Sequence, residues 1–415
     1  MTMDSATEVA IESPAVDAIR RHDEAGKPGL VRLKYRRMGR DVFSFFRGSN
    51  HLFAASWATL KPGDPGPDIL LCGDLHLENF GSYRTEGGEF VFDINDFDEA
   101  LVGPCALDLV RCSTSILLAA QVWGLSPIRA VRTVLGYLDC YRATVLAEAT
   151  APADARPTRI DESGPIGELV GDCLLGTQAE LLDRFTRLGK SGHRTIRRSG
   201  GRLPALDAER AETVADAIRE YGRWIGQPDA FGVLDVAGRI AGIGSLGVER
   251  YVALVEGDGS PDGNRLLDIK GCAPSSLLGC TDAPQPEAWT NQANRVVAAQ
   301  RKLQAEVTAG LDVIAVDGET FRIRELIPEE NRATLDRFRR KPSKLRHAVE
   351  VAGRVTARAQ LRGARPADGT DRTKKLARWA GSPALDAVLA AAVRFAEKTR
   401  EEFKAFRKSD LNEKV

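Results

Sequence analysis

Between residues 71 and 81 the chain reads LCGDLHLENFG, and from Ile94 it reads INDFDEA. Asp74, His76 and Asn79 fall within six positions of an otherwise apolar, glycine-bounded stretch, and Asp96 and Asp98 flank a phenylalanine. PDILLCGD predicts a short buried strand and EFVFDIND a second one after the turn YRTEGGE, which puts acidic loops at both strand ends of one β-loop-β unit. Carboxylates crowded in this way repel unless a hard cation neutralises them. Whatever the rest of the chain folds into, it must hold these two loops side by side.

Around this unit the sequence turns helical. Residues 13–60 look mostly helical, ALDLVRCSTSILLAAQVWG and SPIRAVRTVLGYLDCYRATVLAEA carry apolar residues at helical spacing, and residues 331–415 are helical and strongly charged. Residues 231–327 predict a second β-rich zone with four strands, VLDVAGRIAGIGSLG, ERYVALVEG, NRLLDIKGC and ETFRIRELI. The amphipathic helix TNQANRVVAAQRKLQAEVTAG lies between the third and the fourth. The expected class is α+β in three segments: 1–228 with the acidic loops and helices, 229–328 as the β-rich unit, and 329–415 as helices packing back on the first.

The 58 basic and 58 acidic side chains cancel. No global field draws the chain to nucleic acid or an anionic membrane, so a small-molecule or protein partner is expected. Seven cysteines form no CxxC pair and no zinc-like spacing, which suits reduced thiols. The opening residues lack a continuous apolar region, and no apolar run approaches the ~20 residues of a membrane span. A cytoplasmic location is expected.

Two further features bear on chemistry. Gly242, Gly244 and Gly247 form GIGSLG, with Ser245 inside it, between two predicted strands. That placement disfavours a dinucleotide fingerprint, which opens a helix, and suits a flap whose backbone N–H groups cover phosphates. Lys270 in LLDIK lies on the next strand, where a phosphate-pairing lysine belongs. A three-glycine hairpin and a solvent-facing lysine are the plainer readings of the same residues. GKS at 189–191 is no phosphate loop, because Arg184 stands where that motif needs glycine.

A carboxylate at a strand end, an Asn five residues on and an Asp at the end of the next strand form the set that phosphoryl transfer on a two-lobed kinase scaffold requires. CGDLHLENFG with NDFDEALVGPCALDLVR resembles the HGDLHxxN and IDFxDAxxGDPxxDLA elements of aminoglycoside and choline kinase-like phosphotransferases. The resemblance implies Asp74 as catalytic base, Asn79 and Asp96 as magnesium ligands, and Asp108 as a structural brace of the catalytic loop. It departs at Cys72, where those enzymes usually carry His, and at Asp98, which is then an added metal ligand. His76 either orients Asp74 or packs the loop. Over most of the chain, RMGRDVFSFFRGS, LCGDLHLENFGS, FDINDFDEALVGP, GIGSLGVERYVALVEG, LLDIKGC and NRVVAAQRKLQ follow in order the pattern of the uncharacterised bacterial family "domain of unknown function 2252". That family is grouped by resemblance with the protein kinase-like fold.

These resemblances imply an ATP- and magnesium-dependent phosphotransferase acting on a hydroxyl of a small molecule or protein. The implied fold is two-lobed and kinase-like, with a mostly helical large lobe and a small antiparallel β lobe. Gly242 follows Asp74 by 168 residues, whereas in ordinary kinases the glycine-rich lobe comes first. A circular permutation accounts for the order. Nucleotidylyl (AMP) transfer on the same scaffold and a non-catalytic nucleotide-binding module are the alternatives. Ile327 and Pro328 are placed near the adenine. The partner of Lys270 stays unassigned, because the helix over 290–309 offers Arg295 and Gln300 at its centre rather than an acid. Arg36, Arg37 and Arg47 stand beside aromatics and either line an anionic substrate site or, the plainer reading, lie on a solvated helix face with Phe45 and Phe46 buried.

Overall fold

The computed structural model describes residues 13–150, 164–174, 178–198, 202–243, 247–326, 335–365 and 369–413. Four helices open it, Pro14–His22, Pro28–Met38, Val42–Gly48 and Asn50–Leu60. Proline begins the first two, where its missing N–H leaves no bond unmade. Asp41 starts the third by accepting from the Ser44 N–H at 2.7 Å. The helical body is built around Ala106–Val122, in which every residue from Ala106 to Ala120 is buried. A helix with no solvent face must be enclosed, and Pro127–Glu148, Pro342–Gly363 and Ala384–Lys408 share its core.

The acidic unit departs from expectation. Asp68–Leu71 does not run beside Phe90–Ile94; it pairs antiparallel with Leu101–Pro104, while Phe90–Ile94 pairs with Phe80–Arg84. Residues Phe80 to Tyr83 are all buried, so the strand FGSYR shows none of the polar alternation that would mark it in sequence. One hairpin is therefore inserted in the other. The segments 72–79 and 95–100 are the two crossings between them, and they run side by side, with the Asn95 N–H donating to the Asn79 carbonyl at 2.8 Å.

The β-rich zone is a five-stranded antiparallel sheet in the order Asp312–Val316, Glu319–Glu325, Arg265–Gly271, Arg250–Val255, Val233–Gly238. Asp312–Val316 is the strand that the sequence does not predict. The preceding helix, Gln292–Leu303, stops six residues short of the expected end at 309, with Gln304 already extended, and this leaves room for the extra strand. On one sheet face Tyr251, Ala253, Leu267, Ile269, Phe321 and Ile323 pack against Val214, Ala215 and Ile218 of the helix Ala208–Trp224. That helix belongs with the sheet, although it precedes the expected boundary at 228. Among the described residues no helix is long and apolar enough to cross a membrane.

Candidate active site

The loop after Leu71 is shaped by its glycine. Gly73 has φ 94°, and a Cβ there would lie 2.1 Å from the Glu99 carbonyl oxygen, so only glycine lets the two acidic loops touch. Asp108, in the first turn of the buried helix, accepts from the N–H groups of Cys72 at 3.2 Å and Gly73 at 3.0 Å. This is the bracing contact expected of it. One turn on, Arg111 donates Nε to Asp74 Oδ1 at 2.6 Å and Nη2 to the Phe46 carbonyl at 2.9 Å. Its guanidinium lies over the Phe46 ring, 3.5 Å from the centroid. Asp74 is thus held by a fully buried arginine that is itself wedged in place. Burial pushes the Asp74 carboxyl up to about 7, against the pull of Arg111 and with Glu99 and Asp96 adding to the rise.

Asn79 Nδ2 donates to the Asp74 carbonyl at 2.8 Å and closes the turn that carries Asp74. Across from it, the Asp98 N–H caps Asp96 Oδ1 at 3.2 Å. The surrounding protein opposes charge on Asp96, yet Lys270, Arg322 and Arg324 together with this cap hold it below the ordinary carboxylate value. Asp98 Oδ2 accepts from Lys270 Nζ. The ion-pair partner of the lysine is therefore on the acidic loop and not on a helix. Asp98 Oδ1 is buried without a hydrogen-bond partner.

Arg295 holds this loop from behind. It donates to the carbonyls of Asp98, Ala100 and Ala273, each at 2.7 Å. Glu99 Oε2 accepts from the Ser276 N–H at 2.6 Å and from Ser275 Oγ at 2.9 Å, which ties the loop to the strand end beyond Lys270.

The sheet meets this floor through its inner face. Arg250, Lys270 and Arg322 form a cross-strand row, and Lys270 is only 3% exposed, which removes the reading of it as a solvent-facing residue. Gly242 has φ 80° and its carbonyl accepts from Arg37, so that arginine ties the glycine-rich stretch to the first helices. Gly247 has φ 117°. Gly244, Ser245, Ile327 and Pro328 lie outside the described residues. One cavity of about 440 Å³ is lined by Asp74, Asn79, Asp96 and Asp98 from the acidic loops and by Gly242 and Lys270 from the sheet.

His76 also lines it, but its Nε2 stands 3.9 Å from Asp74 Oδ2, beyond hydrogen-bond reach, and its ring packs edge-on to Phe43. Burial, with Arg47 and Arg111 nearby, keeps its pKa well below the ordinary histidine value. Arg47 pairs with Glu78 at 2.6 Å and is not a free face residue.

Among the described residues no group of three or more His, Cys, Asp and Glu side chains is arranged to hold a metal by itself. The donor set still suits magnesium, which is commonly held by one or two carboxylates plus substrate phosphates. Asn79, Asp96 and Asp98 offer only hard oxygen donors, and Asp98 Oδ1 is an acceptor with nothing yet to accept.

A family model described as an uncharacterized protein conserved in bacteria, DUF2252, matches residues 26–409. The chain belongs to DUF2252. No curated protein and no solved structure matches it. The span of the DUF2252 match takes in both acidic loops, the glycine-rich stretch, Lys270 and Arg111.

Sequence reasoning about this DUF2252 chain missed Arg111, Glu99 and the structural use of Arg295. Arg111 had a signal, since it sits one helical turn after Asp108 on a segment that is otherwise apolar or small.

Proposed function

We propose that this DUF2252 chain is an ATP- and magnesium-dependent phosphotransferase built as a circularly permuted, two-lobed, kinase-like fold. The observation that carries the reading is the shared cavity: acids from residues 74–98 and a lysine and glycine from residues 242–270 face one space of about 440 Å³. Permutation is supported by how the first and last described helices meet. The last helices pack on the first, through Phe406 and Leu411 against Val16 and Ile19, with Arg20 paired to Asp410 at 3.0 Å. Neighbouring termini make such a rearrangement physically inexpensive.

In the proposed reaction the acceptor hydroxyl attacks the terminal phosphorus of ATP, the bond from that phosphorus to the bridging oxygen breaks, and ADP leaves. Asp74 takes the hydroxyl proton, and Arg111 fixes the carboxylate so that one oxygen stays turned to the cavity. Lys270 leaves Asp98 in part to pair with phosphate oxygens, and Gly242, which lines the same cavity, lies beside them. Asn79, Asp96 and Asp98 are the groups that would hold magnesium, which supplies neutralisation of phosphate charge.

Incubation with ATP and magnesium, followed by mass spectrometry of protein and co-purified small molecules, tests the reaction. The expected products are ADP and a phosphorylated acceptor. AMP and pyrophosphate with adenylyl gain would replace this reading by nucleotidylyl transfer. Bound but unchanged ATP would make the protein a non-catalytic binding module.

A further inference from the structure

The inner sheet face is divided into two kinds of surface. At one end Leu254, Leu266 and Leu326 point the same way as Arg250 and Lys270, and they are covered by Leu182, Ile196 and Leu203. The apolar half of the face is thus filled by the chain itself. What remains open to the cavity is cationic: Arg239, Arg250, Lys270, Arg322 and Arg324 all line it.

Four of these arginines converge on Asp268, which is fully buried. Arg239 reaches it at 2.8 Å, Arg250 at 2.7 Å with both Nε and Nη2, Arg322 at 3.0 Å and Arg324 at 3.7 Å. A single carboxylate has two oxygens, and Arg250 alone reaches both of them at 2.7 Å. Arg322 Nε is buried without a hydrogen-bond partner in a side chain 2% exposed. Arg322 and Arg250 sit on either side of Lys270 in the strand register, and all three line the cavity.

An apolar group has no place against this wall, since desolvated guanidinium donors would lose water and gain nothing. A chain of linked phosphates fits it, because arginine forks take phosphate oxygens bidentately and several neighbouring cations match several neighbouring charges. We infer that the Arg250–Lys270–Arg322 row, set on Asp268, is an oligophosphate seat that recognises the phosphate chain and not the base of its ligand. Asp268 preorganises the row: it fixes Arg250 and Arg322 while Arg322 Nε stays unused. This deepens the phosphotransferase reading and rests on the cavity's being a phosphate site.

Inorganic tripolyphosphate is the probe, titrated calorimetrically into the full chain with and without ATP. The expected results are that tripolyphosphate binds, that it competes with ATP, and that Arg250→Gln and Arg322→Gln each weaken it about tenfold or more. Arg322→Lys is expected to lose part of that affinity, because it keeps the charge without the fork. Each single change leaves Asp268 three other arginine partners, and thermal melts identify any variant that fails to fold. Arg219→Gln, on the helix against the opposite sheet face, is the control that binds as wild type. No binding of tripolyphosphate by the wild type, or equal binding by well-folded Arg250 and Arg322 variants, overturns the inference. If ATP still binds and is turned over in that case, the phosphotransferase reading survives alone. If tripolyphosphate binds and no transfer product ever forms, the seat stands and the reaction falls.

Discussion

Asp74→Asn lowers turnover of ATP by about 10²–10⁴-fold while leaving the Kd for magnesium-ATP within about threefold of wild type. The substitution keeps the shape of the loop and an acceptor for Arg111 at Oδ1, and removes the carboxylate's charge and its ability to accept a proton. A residue that merely shaped the pocket would change affinity instead, so the split between Kd and rate is the informative readout. The pH dependence follows from the same group. With the carboxyl raised to about 7 by burial, the base is active only above that value, and kcat/KM for the free protein rises through pH about 7 to a plateau. For stability the sign is the reverse. A raised folded-state pKa stabilises the fold below the ordinary carboxylate range, and that contribution is lost as pH climbs through about 7. Asp74→Asn is therefore expected to lack both the rising limb of the rate profile and the loss of stability that the wild type shows as pH climbs through about 7. Equal rates in the two proteins would remove Asp74 from the chemistry.

Asp268→Asn is expected to have the largest effect on stability, about 3–5 kcal/mol, because it strips the carboxylate from a buried group of arginines. Burial opposes the charge on Asp268, and Arg250, Arg239 and Arg322 overcome it and hold its pKa well below the ordinary range. A depressed folded-state pKa stabilises the fold above the ordinary carboxylate value of about 4, and that contribution is lost only as pH falls through the folded value. Acid melts of wild type and variant should therefore differ most at neutral pH and converge as the pH drops below about 4. By contrast Arg219→Ala, which breaks the exposed pairs with Glu212 and Asp216, should shift stability by about 0.5 kcal/mol or less. If both variants melt alike, the arginine group is not the internal brace described here.

Much of the site was legible because its residues lie close in sequence. Asp74, Asn79, Asp96 and Asp98 fall within 25 positions, and the chemistry of crowded carboxylates is visible before any fold is known. The pairing of the strands around them was not. Leu101–Pro104 and Phe80–Arg84 are nearly all buried, so period-two alternation, the usual strand signal, is absent. The fifth strand of the sheet was hidden by a helical pattern that runs past Leu303 in sequence but ends there in space, where Arg362 donates to the Leu303 carbonyl at 2.8 Å. The Lys270 partner was sought on a helix, and its place there is taken by Arg295, which holds loop carbonyls instead. Long-range ion pairs of this kind, 172 residues apart for Asp98 and Lys270, leave no local trace.

Calorimetric titration of ATP with magnesium into wild type, Asp96→Ala and Lys270→Ala tests the central claim, that the two distant sequence regions form one nucleotide site. Binding by the wild type at micromolar to millimolar Kd is expected, with a loss of about tenfold or more in each variant and little further loss in the double variant. Absence of binding by the wild type, or variants that bind ATP as it does, would contradict that claim.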